Sequence, residues 1–395
     1  MSPVIQRLVR PNIQKALDLG KSVLLLGPRQ TGKTFLIDGF QADKHFSLAN
    51  PKDRLRYEKN PEFLTSEIEY LAEQNPKKRV LVVIDEVQKL SILMDAAQDL
   101  IDRKIAQFIL TGSSARKLRR GNEDINLLPG RLIPFRMDPL SYQETPSSYS
   151  LEDFLFDGSL PEIVLCSEKE TRDVLLEAYV TIYLEEEVRA EALVRDLGSF
   201  GRFLELAASE SGKIVNFAKL SREIGVPHTT ISSYYQILED CLIAERIEPL
   251  IKSRTRKKLS RAQKYLFYDL GVRRLAAQEG RNPPKEHKGH LLEHWVGLEL
   301  IRQSRLLRKK YKVRYWSDPS GPEVDWVIET RDLYIPIEVK WTDAPHSSDA
   351  RHLNLFLDEY ENAPQGFVIC NTPHAFKLTD KVTALPWRDI KRVFE

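Results

Sequence analysis

The chain is poor in cysteine: Cys166, Cys241 and Cys370 are the only three in 395 residues, and they stand far apart. Such spacing offers no metal knuckle, redox pair or disulfide framework, so the three are expected as buried apolar residues in a reducing compartment. Long apolar runs are missing as well. No stretch approaches the about eighteen residues that span a bilayer, and the N-terminal MSPVIQRLVRPNIQKALDLG lacks the continuous apolar core of a leader. A cytoplasmic protein with no membrane contact is expected. An excess of one charge is absent too, since 59 Lys and Arg face 57 Asp and Glu for a net charge of +2. Affinity for a polyanion must therefore come from local clusters. With 42% hydrophobic and 29% charged residues the chain is not disordered. Its 395 residues exceed the size at which one core keeps growing, and about two to four domains are expected.

What is present begins with SVLLLGPRQTGKT at residues 22–34, an apolar run too short for a helix followed at once by Gly27-Pro28-Arg29-Gln30-Thr31-Gly32-Lys33-Thr34. This is strand, loop and helix. Glycines let successive amides turn inward around phosphate oxygens, and the positive end of the following helix faces them. Lys33 is expected to reach the terminal phosphates, and Thr34 to offer its hydroxyl to Mg2+. A second strand, RVLVVIDEV, ends in Asp85-Glu86, and two carboxylates at the tip of a buried strand need a cation nearby. Asp85 suits the Mg2+ of a bound nucleotide, and Glu86 suits the role of orienting and deprotonating the attacking water. A third strand, FILTGSS, ends in Thr111, Ser113 and Ser114, where Ser113 is the candidate sensor of the terminal phosphate.

Residues 150–197 follow a helical period with an acidic outer face. Three helices are then expected, the second ending at Gly225 and the third beginning at His228 after a turn through Pro227, a helix-turn-helix order. In the third, Ile231, Tyr235, Leu238 and Leu242 take the core spacing, so Thr229, Thr230, Ser232, Ser233 and Gln236 face outward, and their short polar side chains suit a major groove. Residues 251–265 carry seven basic side chains and no acid. A β-ribbon of that composition makes a winged helix, in which Lys252, Arg254, Arg256, Lys257 and Lys258 would neutralise phosphates. Packing against protein is the alternative for such a hairpin.

NPPKEHKG at 282–289 reads as a linker, followed by a long amphipathic helix and two strands holding Asp325 and Glu338-Val339-Lys340. By alternation Glu338 and Lys340 share one face, and a hairpin would bring Asp325 to them. Two carboxylates and a carbonyl suit Mg2+ or Mn2+, with the lysine placed for a scissile phosphate. His290-Leu-Leu-Glu293-His294 also matches a zinc-protease pattern, but no third ligand follows.

Together GPRQTGKT, VVIDEV, LTGSS and PGRLIPFRMDPLSYQE resemble the bacterial and archaeal AAA+ ATPases that carry a C-terminal domain of unknown function with a restriction-endonuclease-like fold. The resemblance covers nearly the whole chain. It implies an α/β protein: a P-loop AAA+ parallel sheet (1–140), a helical lid (141–197), a winged-helix domain (198–281) and a PD-(D/E)xK nuclease-like α/β domain (282–395). It also implies an arginine reaching the terminal phosphate of its own or a neighbouring subunit, for which Arg131 is the candidate, and a homo-oligomer such as a ring. In the nuclease-like core it adds Glu293 to Asp325, Glu338 and Lys340. One letter departs, because Glu323-Val324 stands where the pattern's proline would directly precede Asp325. The expected chemistry is ATP hydrolysis coupled to remodelling of, or translocation on, DNA, including branched or broken DNA. A nucleotide-switched regulator and an ATP-gated nuclease are the alternatives.

Overall fold

The computed structural model describes residues 5–76, 78–114, 130–184, 196–251, 262–309, 311–318 and 321–395. Val23, Leu24 and Leu25 have no exposed surface, and a strand so apolar must be covered on both faces. It forms β1 (Ser22–Leu26), joined by β2 (Lys44–Ser47), β3 (Val80–Asp85), β4 (Ala106–Gly112) and β5 (Leu132–Arg136). All pairings are parallel, in the order β2-β3-β4-β1-β5. Helices Glu62–Gln74 and Leu93–Asp102 cover one face through Leu64, Ile68, Leu93 and Leu100. Helices Arg10–Asp18 and Lys33–Asp38 cover the other through Ile13, Leu36 and Ile37. Because every strand runs the same way, residues following β1, β3 and β4 meet at one edge.

Three short helices come next, Leu151–Asp157, Pro161–Leu165 and Lys169–Ala178. The first is started by Ser150, whose hydroxyl accepts from the Asp153 amide while the Asp153 carboxylate accepts from the Ser150 amide. Helices Leu197–Ser209, Phe217–Ile224 and His228–Asp240 fall where the periodicity puts them. Asn216 caps the second, and Gly225 (φ 82°) ends it in the left-handed conformation that glycine adopts without strain. An antiparallel pair follows, β6 (Ala244–Ile247) and β7 (Lys264–Phe267), then helix Leu270–Ala276. Leu160, Leu176, Phe203, Ile231, Leu238 and Val272 share one core, so the helices before residue 179 and those after 197 pack as one unit.

The expected linker is shorter than 282–289, because helix Lys285–Leu307 starts within it. Nor is that helix amphipathic. From Leu291 to Ser304 every residue except Glu293 is buried, Glu299 and Arg302 among them. The helix lies between the second sheet and the rest of the chain, so it has no solvent face along this stretch. A single core joins Leu140, Phe154 and Leu266 to Trp295, Trp326 and Trp387. The second sheet holds β8 (Lys312–Ser317), β9 (Glu323–Glu329), β10 (Tyr334–Val339), β11 (Gly366–Cys370), β12 (Phe376–Lys377) and β13 (Val382–Pro386). Its order is β12-β13-β11-β10-β9-β8, with β8, β9 and β10 an antiparallel meander and β10, β11 and β13 parallel. Cys241 and Cys370 are buried, whereas Cys166 is partly exposed. Among the described residues no helix is long and apolar enough to cross a membrane.

Candidate functional site

Gly27 leaves β1 with its amide bonded to the Gly112 carbonyl, and a Cβ there would stand 2.3 Å from the Met137 carbonyl oxygen. Only glycine lets the chain turn so close to its neighbour. The turn runs through Gln30 (φ 60°) and Gly32 (φ 87°) into helix Lys33–Asp38. Lys33 is buried in the loop it belongs to, and its ammonium donates to the carbonyls of Gly27 (2.8 Å) and Pro28 (2.9 Å). Thr31 closes the turn by donating its hydroxyl to the Pro28 carbonyl at 2.9 Å.

Asp85, 4% exposed at the tip of β3, accepts from the Thr34 hydroxyl at 3.1 Å and from the Thr111 hydroxyl. Glu86 follows in the left-handed region (φ 59°), a conformation strained for a side-chain-bearing residue and held by its amide donating to Thr111 Oγ1 at 3.1 Å. Its carboxylate accepts from Ser113 at 3.1 Å and from the Gln88 amide, which also donates to Ser113 Oγ at 2.9 Å. Gln88 Oε1 is buried and has no partner. Thr34, Asp85, Glu86, Thr111 and Ser113 therefore converge from β1, β3 and β4 beside the glycine-rich turn. The donor set fits a magnesium-bound triphosphate: Thr34 and Asp85 are the pair that would hold Mg2+, and the turn with Lys33 would cradle the phosphates.

Arg131 is elsewhere. It precedes β5, and the register Ser22↔Leu132 and Leu26↔Arg136 puts it at the opposite edge, about 17 Å from the phosphate edge along a five-residue strand. There it pairs with Asp102. The strand direction thus sets Arg131 apart from the glycine-rich turn of its own chain. The sequence reading also missed Arg7, whose guanidinium donates to the Thr31 carbonyl (2.5 Å), the Asp138 carbonyl (2.7 Å) and Glu144 (3.1 Å). Gln88 was missed as well. Its position three residues past Asp85 was the available signal; Arg7 had none, because it reaches the turn only through the tertiary fold.

A second polar cluster lies on the second sheet. The β9–β10 hairpin brings Asp325 to the Val339 amide (2.8 Å), and Lys340 donates to Glu338 at 2.8 Å. Glu293 arrives from the long helix, so all four expected residues gather in one place. A fifth was not expected there: Lys264, from β7, donates to Glu293 at 2.9 Å. Burial, with Glu293 and Glu338 beside it, pushes the Asp325 carboxyl well above the ordinary range. Burial likewise raises Glu338, against the pull of Lys340. For Glu293 burial works in the same direction but loses to the Lys264 ammonium, which holds the group at about 2. The metal set expected from Asp325 and Glu338 does not fit this arrangement. Among the described residues no group of three or more His, Cys, Asp or Glu can hold a metal ion. The zinc pattern fails too, because His294 is buried with its ring on the Phe267 carbonyl (2.9 Å), while the His290 side chain is exposed.

Thr229, Ser232, Ser233 and Gln236 are exposed on helix His228–Asp240 and Thr230 is half-buried, with Ile231, Tyr235 and Leu238 turned to the core. The Ser233 hydroxyl bonds the Thr229 carbonyl at 3.0 Å. Lys252, Arg254, Arg256, Lys257 and Lys258 lie outside the described residues.

Three family models match the chain in succession. Residues 20–145 match an AAA domain, 148–282 a domain of unknown function (DUF8612) and 288–390 another (DUF4143). Two relatives, uncharacterized proteins of Mycobacterium bovis and Mycobacterium tuberculosis, are each 26% identical over 380 residues, covering 95% of this chain and 82% of theirs. Among solved structures, PCH-2 of C. elegans is 14% identical with a TM-score of 0.26, covering 60% of this chain and 65% of that one. Protein VC1899 of Vibrio cholerae is 12% identical with a TM-score of 0.21, covering 94% and 96%. Both likenesses are too loose to carry an argument. The glycine-rich turn and the Asp85-Glu86 strand tip thus belong to a P-loop AAA-type ATPase domain, followed in the same chain by a C-terminal DUF4143 domain.

Proposed function

We propose that the chain hydrolyses ATP and uses the cycle to remodel, or move along, DNA held by its middle segment. The observation that carries the first half is the convergence of Thr34, Asp85, Glu86 and Ser113 beside the Lys33 turn. Thr34 and Asp85 would hold a Mg2+ that would neutralise phosphate charge; Lys33, now on the carbonyls of its own loop, would turn to the terminal phosphates; Glu86 would accept a proton from the attacking water. Ser113, shared by Glu86 and Gln88, orients that carboxylate. The DNA half is supported by the outward Thr229, Ser232 and Ser233 and by the acid-free basic run at 251–265, read as a winged helix.

The regulator reading has an observation of its own. Arg7 joins the Thr31 carbonyl of the turn to the Asp138 carbonyl, and the Asp138 carboxylate pairs with Arg305 of the long helix at 2.6 Å. A change at the phosphates is thereby in contact with the C-terminal domain.

Steady-state hydrolysis measured with and without single-stranded, duplex and junction DNA separates the two. Lys33→Ala is expected to abolish hydrolysis, and Glu86→Gln to keep ATP binding while slowing turnover by about 10²–10⁴-fold. Full activity in Lys33→Ala would overturn the assignment. Turnover that no DNA alters would overturn the motor and leave the switch.

A further inference from the structure

The carboxylate cluster on the second sheet contains a cation that the chain itself supplies. Lys264 belongs to β7 of the middle segment, is only 8% exposed, and places its ammonium 2.9 Å from Glu293 Oε1. Two aromatic rings wall it in, with centroids at 5.0 Å (Tyr315) and 5.3 Å (Trp326). Both rings are buried, so the positive charge sits between carboxylates and π-faces with little water. In the same cluster, Glu338 is 5% exposed and its Oε2 has no hydrogen-bond partner, although its other oxygen accepts from Lys340. A buried carboxylate oxygen without a donor is a costly arrangement unless a positive charge can approach it.

We propose that Lys264 is the resident cation of the Glu293–Asp325–Glu338 cluster and takes the place a divalent metal would otherwise fill, so that the cluster accepts metal only when this ammonium is removed. The three carboxylates repel one another; Lys340 stands on Glu338, and the Lys264 ammonium relieves the repulsion between Glu293 and Asp325 as an ion would. Because Lys264 comes from the β6–β7 ribbon and Glu293 from the long helix, the clamp also pins the middle segment to the C-terminal domain. Any ion entering the cluster must displace it.

Manganese binding to the nucleotide-free full chain, followed by electron paramagnetic resonance and calorimetry, tests it. The wild type is expected to bind Mn2+ weakly, Lys264→Met to bind one ion at least about tenfold more tightly, and Lys264→Met with Asp325→Asn to lose the gain. Lys264→Arg, which keeps the charge, should stay as weak as the wild type. Bound Mn2+ should raise the melting temperature of Lys264→Met more than that of the wild type. Equal affinities in the wild type and Lys264→Met would overturn the proposal, as would a gain that survives Asp325→Asn. Should Lys264→Met not fold, the wild type still decides: tight binding of one ion that Asp325→Asn abolishes would mean that the ammonium does not occupy the metal's place.

Discussion

His294 shows how one side chain can look catalytic and be structural. Its spacing from His290 suggested a metal, yet burial, with Arg273 and Arg302 nearby, holds its pKa down to about 3 against the pull of the Phe267 carbonyl. A histidine that is neutral when folded and titrates near 6.5 when unfolded binds fewer protons in the folded state throughout that interval. Its contribution to stability is therefore complete above about pH 6.5 and is lost as the pH falls toward 3, at about 1.4 kcal/mol per pH unit. Asp325 and Glu338, raised in the folded state, act with the opposite sign, so the wild type alone does not isolate the histidine. Denaturant melts of wild type and His294→Gln at pH 7.5 and 5.5 do. The variant is expected to show the shallower loss on acidification, and equal losses would mean that the ring is protonated in the fold.

At the scale of the element, the long helix is defined by what it lacks at one position. Gly297 faces Trp326, and a Cβ there would lie 2.5 Å from Trp326 Cζ2 and 2.9 Å from a Leu266 methyl. Gly297→Ala would gain about 1 kcal/mol in helix propensity. Against that gain stands a clash with a ring that cannot retreat, because Trp326 is fully buried and its indole NH donates to the Glu293 carbonyl at 3.0 Å. Overpacking of this kind costs about 1–3 kcal/mol, so a net loss of roughly 1 kcal/mol is expected in a urea melt. A more stable variant would show that the sheet can slide away from the helix. The glycine-rich turn was legible because all its parts are contiguous. The burial of the helix was not, since its charged Glu299 and Arg302 imply a wet face until Arg302 is seen to serve Glu299 (2.7 Å) and the carbonyls of Leu140 and Tyr268.

For the whole molecule, the family matches divide the chain in three, but the core does not follow the divisions. Leu140, Phe154, Leu266, Trp295, Trp326 and Trp387 belong to one cluster, and Arg305 binds Asp138 of the first segment and Glu245 of the second. Removing residues 288–395 would uncover that cluster and leave Arg136 as the remaining partner of Asp138 and Glu245. The shortened chain is expected to aggregate or melt well below the full one, and calorimetry of the full chain to give one dominant transition. A truncated protein as stable as the intact chain would show that the C-terminal domain packs without supporting its neighbours.

What the sequence by itself determined is what depends on neighbours along the chain. Gly27 to Thr34 fold as a phosphate turn because glycine conformations and a helix start are local properties, and Asp85-Glu86 reach its edge because a parallel strand ends there. The tertiary structure alone decided where distant charges met. Strand register carried Arg131 to the far edge, packing carried Arg7 to the turn, and a ribbon crossing the long helix set Lys264 against Glu293. A charged side chain needs a partner when buried, but which partner it finds depends on contacts between remote segments that no periodicity encodes.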